Sequence, residues 1–107
     1  MISKDLTAAS SSALILSILA GGDNYGYQII QSVRQLSEEK IEWTDGILYP
    51  VLHRLEARAL IASYWKSASS GRRRKYYRLT ETGRKALAHE KEQWLAVDGA
   101  LKKLWTD

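Results

Sequence analysis

Residues 46–56 read GILYPVLHRLE, and this short segment decides the fold of the chain. Its large aliphatic residues recur at the i, i+3, i+4 and i+7 spacing of a single helix face, and they are Leu48, Val51, Leu52 and Leu55. Tyr49, His53 and Arg54 fall on the other side, toward solvent or a partner. A helix with an anchored back and an exposed front is typical of the recognition helix of DNA-binding proteins.

Pro50 constrains where this helix begins. Inside a helix, proline costs about 3 kcal/mol because it lacks an N–H and its ring crowds the preceding turn. The cost disappears in the first turn, whose N–H donors have no acceptor within the helix. We therefore expect the helix to begin between Thr44 and Gly46 and to end near Ala59.

Two segments rich in β-forming residues follow, at 61–66 and 75–79. The polar loop predicted between them, residues 67–74, ends in three arginines. One tyrosine of the pair Tyr76 and Tyr77 should be buried and the other should cover the base of the hairpin, since neighbours alternate across a strand. A helix followed by a hairpin with a basic tip predicts a winged helix-turn-helix, a mainly α fold with a small β hairpin.

The first half of the chain predicts two further helices. Residues 4–20 are apolar nearly all round, so we expect this helix to be buried on more than one side, with a second chain supplying part of the cover. Residues 25–36 form an amphipathic helix with Ile29, Val33 and Leu36 on its buried face, and Asp23 or Asn24 can cap it. Between this helix and the recognition helix, Ile41 and Trp43 can form a short strand against the wing, with Trp43 in the core.

The last predicted helix runs from Glu81 to about Trp105, and Thr80 can cap it. Its apolar residues follow a heptad seam, made of Leu87, Trp94, Val97, Leu101 and Leu104. Nothing within so short a chain can cover that seam, so we expect a homodimer. Residues 1–80 are then the winged helix-turn-helix, whose first helix shares in the dimer interface, and residues 81–107 are the dimerisation helix.

The positive charge of the chain is concentrated in one stretch. The formal net charge is +4, yet seven basic residues and no acidic one lie between Glu56 and Glu81. The rest of the chain is therefore net acidic, and the basic stretch predicts contact with a polyanion such as DNA. The alternative is a merely solvated charged surface.

Composition excludes several other classes of protein. The 107 residues fit one domain, and the absence of cysteine excludes disulfides and thiolate-metal sites. The longest apolar run, residues 13–20, is too short to span a membrane, and no signal-peptide pattern is evident. We expect a cytoplasmic location and no membrane partner.

No catalytic constellation is present. His53 and His89 have no nucleophile beside them in the sequence, and His89-Glu90 lacks the second histidine of a zinc-hydrolase motif because position 93 is glutamine. We therefore expect neither an enzyme nor a cofactor or metal site.

The chain resembles the PadR family of bacterial transcription regulators. The matching residues are Leu48-Tyr49-Pro50 with Leu52, Arg54-Leu55-Glu56, Asn24-Tyr25-Gly26-Tyr27 and the run GRRRKYYRLTETG at 71–83. The resemblance extends from about Leu6 to Trp105 and implies a dimeric winged-helix regulator of transcription. One departure is Ala59, where the family usually has a glycine with positive φ. Alanine in that conformation costs roughly 1 kcal/mol, so either this turn has a different cap or the chain loses that stability.

The candidate DNA-binding residues lie in two groups. The recognition helix contributes Thr44, Gly46, Tyr49, Pro50 and Arg54, with Asp45 in the same first turn, and the wing contributes Arg72, Arg73, Arg74 and Lys75. The helix would enter the major groove, and the wing arginines would reach the backbone or the minor groove. Two alternatives stay open, since Tyr49 can be a core-edge residue that holds Pro50, and Arg54 can pair with a surface acid such as Glu56.

A second candidate site is implied by the resemblance. Within the family the chain resembles a multidrug-responsive lactococcal member, through residues 63–65, the wing, and Trp94 with Val97 and Asp98. The matching tryptophans of that relative sandwich flat aromatic drugs between two chains. This implies a planar effector at Trp94, with Asp98 balancing a cation and with Ala9, Ser12 and Ala13 as the opposite wall. Glu90 and Lys91 are more polar than in that relative, so its ligand preferences are not carried over, and Trp94 can instead be simple packing.

The sequence therefore predicts a homodimeric repressor that binds a pseudo-palindromic operator and responds to planar hydrophobic or cationic molecules. A winged helix that binds protein rather than DNA is the alternative from another class. Weak salt dependence and no preferred DNA sequence would distinguish it. A regulator without a small-molecule effector is the third possibility.

Overall fold

The computed structural model describes residues 2–106, which form four helices and a three-stranded sheet. The helices are α1 (Lys4–Ala20), α2 (Gly26–Leu36), α3 (Asp45–Ala57) and α4 (Glu81–Leu104), and the strands are β1 (Asn24–Tyr25), β2 (Ile61–Ser67) and β3 (Arg73–Leu79). The expected fold class, a winged helix-turn-helix with a long last helix, is confirmed. The outer ends of the predicted segments 1–80 and 81–107, Met1 and Asp107, lie outside the described residues, and the division itself stays a prediction.

One core joins the helices to the hairpin. Its most buried side chains come from α1, α2, α3, β2 and β3, and include Ile15, Leu16, Leu19, Ile29, Val33, Leu48, Leu52, Ile61 and Tyr77. Trp43 is only 5% exposed, which confirms its placement in the core. Leu36 was wrongly predicted to be buried. It is 73% exposed because α2 ends at this residue and the chain turns away through Glu38 and Glu39, both with positive φ.

Helix α1 has the predicted bounds, and the Ser3 side chain caps it by accepting a hydrogen bond from the Leu6 N–H. Within one chain only one of its faces is buried, the face that carries Ser11, Ile15, Leu16 and Leu19. Leu6 on another side is exposed. Cover of that side by a second chain stays a prediction.

The start of α2 differs from the sequence-based expectation. The N-cap residue is Tyr25, with no side-chain cap, so the prediction that Asp23 or Asn24 caps this helix is wrong. Asn24 and Tyr25 instead form β1, which pairs antiparallel with Tyr77 and Tyr76 of β3. β1 occupies the edge of β3 that β2 leaves open, giving the order β1-β3-β2. The short strand expected at Ile41 and Trp43 is absent from the described residues for the same reason.

Helix α3 begins at Asp45, within the predicted start between Thr44 and Gly46, and Thr44 is its N-cap. Pro50, however, lies inside the helix rather than in its first turn. The N–H of Leu48 already bonds to the Thr44 carbonyl at 3.0 Å, so a residue at position 50 would ordinarily donate to Gly46. The expectation that Pro50 costs nothing is therefore wrong, because α3 loses one helical hydrogen bond there.

The corner after α3 ties three elements together. Ala59 has a left-handed conformation, with a φ of 58°, so of the two alternatives the strained turn is the one observed. The Thr80 side chain caps α4 by accepting from the Gly83 N–H at 3.0 Å, and its Oγ1 lies 2.7 Å from the Ala59 carbonyl oxygen. Gly83 packs directly on the Leu60 carbonyl, where any side chain would collide. The first turn of α4 is thus fixed to the end of α3.

The hairpin is longer than the sequence indicated. β2 and β3 pair from Ile61 with Leu79 to Ser67 with Arg73, so Arg73 and Arg74 belong to β3 rather than to the predicted loop 67–74. A hydrogen bond of 2.8 Å from the Ala68 N–H to the Arg72 carbonyl closes the short turn, in which Gly71 has a φ of 85°. The basic side chains therefore have strand-defined directions.

Candidate nucleic-acid interface

The front of α3 is an exposed surface backed by a rigid core. Thr44, Gly46, Pro50 and Arg54 are exposed, whereas the aliphatic stripe behind them is buried. The structure therefore places these predicted DNA-binding residues on one accessible side of the helix. Ile47 also lies on this surface, although the sequence did not single it out.

Tyr49 has a more mixed position than the other α3 residues. Its side chain is 37% exposed, and its hydroxyl end lies against Gly26 at the start of α2, where a β-carbon would collide with it. This contact supports the alternative that Tyr49 is a core-edge residue. Its exposed part still leaves a DNA contact as a prediction.

Arg54 makes no ion pair among residues 2–106. Glu56, the acid considered as its partner, instead accepts a hydrogen bond of 2.6 Å from the Ser63 hydroxyl on β2. The guanidinium of Arg54 is exposed on the front of α3. The observed contacts therefore favour an external partner over the Glu56 pair.

The basic side chains of the wing lie over aromatic rings. Arg73 is 5.3 Å from the ring centre of Trp65, and Arg74 is 4.6 Å from that of Tyr25. Lys75 lies 5.7 Å from the ring of Tyr77. Within residues 2–106 no carboxylate pairs with these three or with Arg72. Since a ring engages the face of a guanidinium, the N–H edge stays available for phosphate oxygens.

The outer face of the sheet carries a tyrosine cluster. Tyr76 stacks on Tyr64 with ring centres 5.8 Å apart and meets Tyr25 edge-on at 5.3 Å. Tyr77, on the opposite face, is 1% exposed, so the expected division between a core tyrosine and a covering tyrosine is confirmed. The Tyr64 hydroxyl donates to the Asp23 carboxylate at 2.6 Å, and this hydrogen bond raises the pKa of Tyr64.

A separate, shallow cleft lies between α1 and α4. It measures about 260 Å³ and is lined by Ala9, Glu90, Gln93, Trp94 and Val97. The structure thus brings together only Ala9 and Trp94 of the predicted ligand-binding residues.

The other three predicted residues do not line this cleft. The Ser12 hydroxyl donates to Glu90 at 2.7 Å, and Asp98 pairs with Lys102 at 2.9 Å. Ala13 is partly buried on α1. Asp98 is therefore already balanced by a cation within the chain.

Residues 2–106 were also considered as a metal-binding or membrane-spanning chain, and they have the features of neither. No group of three or more histidine, aspartate or glutamate side chains is placed to hold a metal ion. None of the four helices is both long enough and apolar enough to cross a membrane.

The family model described as the transcriptional regulator PadR-like family matches residues 15–89, which include α2, α3 and the whole wing. The chain belongs to the PadR family. Members of this family are transcriptional regulators with a DNA-binding fold and not enzymes, in agreement with the sequence-based expectation.

Solved structures of transcriptional regulators share the fold over almost the whole chain. A transcriptional regulator from Clostridium thermocellum is 31% identical and has a TM-score of 0.85, over 96% of this chain and 100% of that one. A PadR family regulator from Eggerthella lenta is 36% identical with a TM-score of 0.75, over 96% and 88% of the two chains.

The transcriptional regulator YqjI of Escherichia coli is 29% identical over 83% of this chain but only 41% of its own length.

Two features of this PadR chain were missed in the sequence. Trp65 is 57% exposed on the wing beneath Arg73 and opposite Lys75 in the register. Because side chains alternate along a strand, Trp65 lies on the same side of β2 as the buried Ile61, but it is too far from the helices to be covered. The contact between Gly26 and Tyr49 joins residues that are far apart in sequence, and no local pattern indicates it.

Proposed function

We propose that this PadR protein is a cytoplasmic repressor that binds a pseudo-palindromic operator as a homodimer. The observation that carries the proposal is the wing, where Arg72, Arg73, Arg74 and Lys75 have no carboxylate partner among residues 2–106. The basic side chains of the wing lie over aromatic rings beside the exposed side of α3, where they can contact the phosphates that flank a major groove.

The homodimer is supported by the surroundings of α4. After the first turn this helix packs mainly on α1, and its apolar side chains Leu95, Val97 and Leu104 are exposed, as is Trp105 just beyond its end. Of these, Val97 and Leu104 belong to the predicted heptad seam, and exposed apolar side chains along a seam are stabilised when a partner covers them. Two copies related by a two-fold axis would present two recognition helices, with half-sites about one helical turn, ~34–36 Å, apart.

The DNA proposal is tested by selecting bound genomic fragments with the purified protein and measuring affinity for the best fragment over a range of salt concentrations. We expect affinity to fall steeply, with a log–log slope of about −0.9 for each phosphate contact. Arg73→Ala should make the slope shallower and weaken all sequences similarly, whereas Lys91→Ala on α4 is the matched control and should change neither. Tyr49→Ala should relax sequence discrimination, and Tyr49→Phe, which removes the hydroxyl but keeps the ring beside Gly26, should retain the fold.

A protein-interaction role would give a different result. No enriched fragment, together with binding that barely responds to salt, would rule out the operator proposal and favour a winged helix that binds another protein.

We also propose that planar cationic molecules bind at Trp94 in the dimer and weaken operator binding. Trp94 lines an open cleft beside Ala9, and a two-fold axis can bring two such rings face to face. The pairing of Asp98 with Lys102 is exposed, and such ion pairs are worth only about 0–1 kcal/mol, so a cationic ligand can exchange with the lysine.

Ethidium titrations test this effector site. We expect the dye to quench tryptophan fluorescence and lower operator affinity in the wild type and in Trp65→Ala, which removes an exposed tryptophan elsewhere. Trp94→Ala should lose the quenching and keep the dimer. If Trp94→Ala binds ethidium unchanged or no longer dimerises, Trp94 is a packing residue and the regulator has no effector at this site.

A further inference from the structure

The outer face of the three-stranded sheet carries a continuous row of aromatic rings. Tyr25 of β1 is opposite Tyr76 of β3, and Tyr76 is opposite Tyr64 of β2. The ring centres are 5.3 Å apart in the first pair and 5.8 Å apart in the second. Because side chains directly opposite each other point to the same side of a sheet, the row crosses all three strands on the side that faces away from the core.

Cations flank this row of rings on both sides. Lys66 and Arg74 are opposite each other in the register, and Arg78 lies two residues beyond Tyr76 on the same face. Lys66 Nζ is 5.3 Å from the ring centre of Tyr76, and Arg74 lies over the ring of Tyr25. None of the three cations makes an ion pair among residues 2–106. Each of them can therefore bind a carboxylate from outside the chain.

Within residues 2–106, the one carboxylate that is hydrogen-bonded to this row belongs to Asp23. It accepts a hydrogen bond of 2.6 Å from the Tyr64 hydroxyl. This hydrogen bond raises the pKa of Tyr64, and the charge of Arg78 acts in the opposite direction, which places Arg78 near the same hydroxyl. Three cations and one engaged acid leave the outer face with an excess of positive charge.

The outer face points away from the recognition helix. Arg73 and Lys75 share a side of β3 with the buried Tyr77, which packs toward the helices. Lys66 and Arg78 lie on the opposite side of the hairpin. The hairpin thus presents cations in two directions, and only those on the side of Tyr77 point toward the helices that carry the proposed DNA contacts.

We propose that the outer face of the sheet is a docking surface for an acidic segment of another protein. The carboxylates of that segment bind Lys66, Arg74 and Arg78, and its apolar side chains pack on the row of tyrosines. Tyrosine and arginine are enriched in protein interfaces. A single-stranded nucleic acid would have to stack its bases on the rings, but cations already lie over those of Tyr25 and Tyr76.

Docking on this face has a consequence that rests on the proposed operator function. The partner segment and the operator contact opposite sides of the hairpin, so the binding of one leaves the surface of the other free. The regulator can therefore hold an acidic partner protein while it is bound to DNA.

The docking itself is tested without DNA, by fluorescence anisotropy. The probe is a short fluorescein-labelled peptide with the repeat Glu-Glu-Leu, and its neutral control has the repeat Gln-Gln-Leu. We expect the neutral peptide to bind at least about tenfold more weakly, the factor typical of one charge-assisted contact. The measurements are made at about 0.15 M salt, where charges more than about 8 Å apart are largely screened.

Two double variants of the same hairpin locate the peptide. Lys66→Gln, Arg78→Gln alters exposed side chains of the outer face, and it should weaken the acidic peptide about tenfold while leaving operator affinity unchanged. Arg73→Gln, Lys75→Gln removes the same charge from the side of the helices and should do the reverse. Arg74 is left unaltered in both variants because it is a candidate for both contacts.

A single substitution tests the charge of the outer face in the opposite sense. Asp23→Asn keeps an oxygen that can accept from the Tyr64 hydroxyl but removes the negative charge, so it should strengthen binding of the acidic peptide severalfold. Glu92→Gln removes the same charge at an exposed position of α4 and should leave peptide binding as in the wild type.

Several results would overturn the proposal. Equal weakening of the peptide by the two double variants would show that it merely occupies the side of the hairpin proposed for DNA. Loss of operator affinity in Lys66→Gln, Arg78→Gln would assign the outer face to DNA. An oligothymidine that binds more tightly than the peptide and depends on the same two cations would assign it to single-stranded nucleic acid.

A second copy of the chain is the remaining occupant to be tested. If sedimentation shows a wild-type assembly larger than a dimer, and Lys66→Gln, Arg78→Gln disrupts it, the outer face binds another copy and the proposal fails. Failure to find any operator would refute the repressor proposal, whereas the peptide measurements would still decide this one.

Discussion

Ala59 has a backbone conformation that alanine tolerates poorly. Its φ of 58° is required for the turn from α3 into β2, where the Leu60 N–H reaches the Leu55 carbonyl at 3.0 Å. The β-carbon of an L-residue is crowded in this region, and glycine avoids the cost. We expect Ala59→Gly to raise the free energy of unfolding by about 1 kcal/mol in urea denaturation.

The matched control is Ala88→Gly, at an exposed position inside α4, which should lower the free energy of unfolding by about 1 kcal/mol. A loss of stability in both variants would show that the left-handed turn carries no strain.

The burial of Tyr77 makes the free energy of unfolding depend on pH in the alkaline range. Burial is the main cause that raises its pKa to about 12, with Tyr49 and Glu56 adding to it, whereas the unfolded value is 10.0. Below pH 10 the Tyr77 hydroxyl keeps its proton in both the folded and the unfolded protein. Its contribution to the free energy of unfolding is then at its full value. Between pH 10 and 12 the unfolded state releases its proton first, so the free energy of unfolding should fall by up to about 1.4 kcal/mol per pH unit.

Urea titrations at successive pH values between 9 and 11 measure this slope. Tyr77→Phe should flatten it, while Tyr27→Phe, at an exposed tyrosine, should leave the slope as in the wild type. An unaltered slope in Tyr77→Phe would assign the alkaline loss to other groups.

At the scale of elements, the attachment of α4 to the corner after α3 depends on a glycine. A β-carbon at Gly83 would collide with the Leu60 carbonyl and with the Leu79 side chain, whereas one at Gly99 would meet nothing within 4 Å. Gly83→Ala should therefore destabilise the protein by about 1–3 kcal/mol through overpacking. Gly99→Ala in the same helix should stabilise it by up to about 1 kcal/mol. Thermal denaturation compares the two, and a similar effect of both would contradict the close contact.

The elements that follow a strong local pattern were predicted well from the sequence. The apolar patterns of α1, α3 and α4 and the Thr80 cap gave bounds within a few residues. The errors arose where tertiary contacts decide. The two residues of β1 are too few to show alternation, and only pairing with β3 makes them a strand. Pro50 lies beyond the first turn because the core packing of Leu48 and Val51 outweighs one lost hydrogen bond.

The candidate sites were predicted to different degrees. The basic wing is visible in the sequence because charge accumulates locally, and the structure adds the rings beneath Arg73 and Arg74. The contact of Tyr49 with Gly26 could not be foreseen, since it joins α3 to the start of α2. The ion pair of Asp98 with Lys102 was not predicted, although their i, i+4 spacing could have indicated it.

At the scale of the whole molecule, the exposed apolar side of α4 predicts the oligomeric state. Leu101→Asp places a charge within the heptad seam, and we expect it to convert the homodimer into monomers or aggregates. Ala96→Asp adds the same charge at an exposed position of the helix that is off the seam, and it should leave the dimer intact. Analytical ultracentrifugation at micromolar concentration measures both, and a well-folded wild-type monomer would refute the dimer.

The junction of Thr80 and Gly83 with the corner at Ala59 and Leu60 makes α4 a lever. Its 24 residues form an arm about 36 Å long, which is fixed to this corner at its first turn and to α1 midway, where Ser12 donates to Glu90. A tilt of about 5° at the clamp swings the far end through about 3 Å at this length. Conversely, a displacement at the far end no larger than one side chain turns the recognition helix by only a few degrees. A large displacement of the C-terminal end of α4 is therefore reduced, at this corner, to a small rotation of α3.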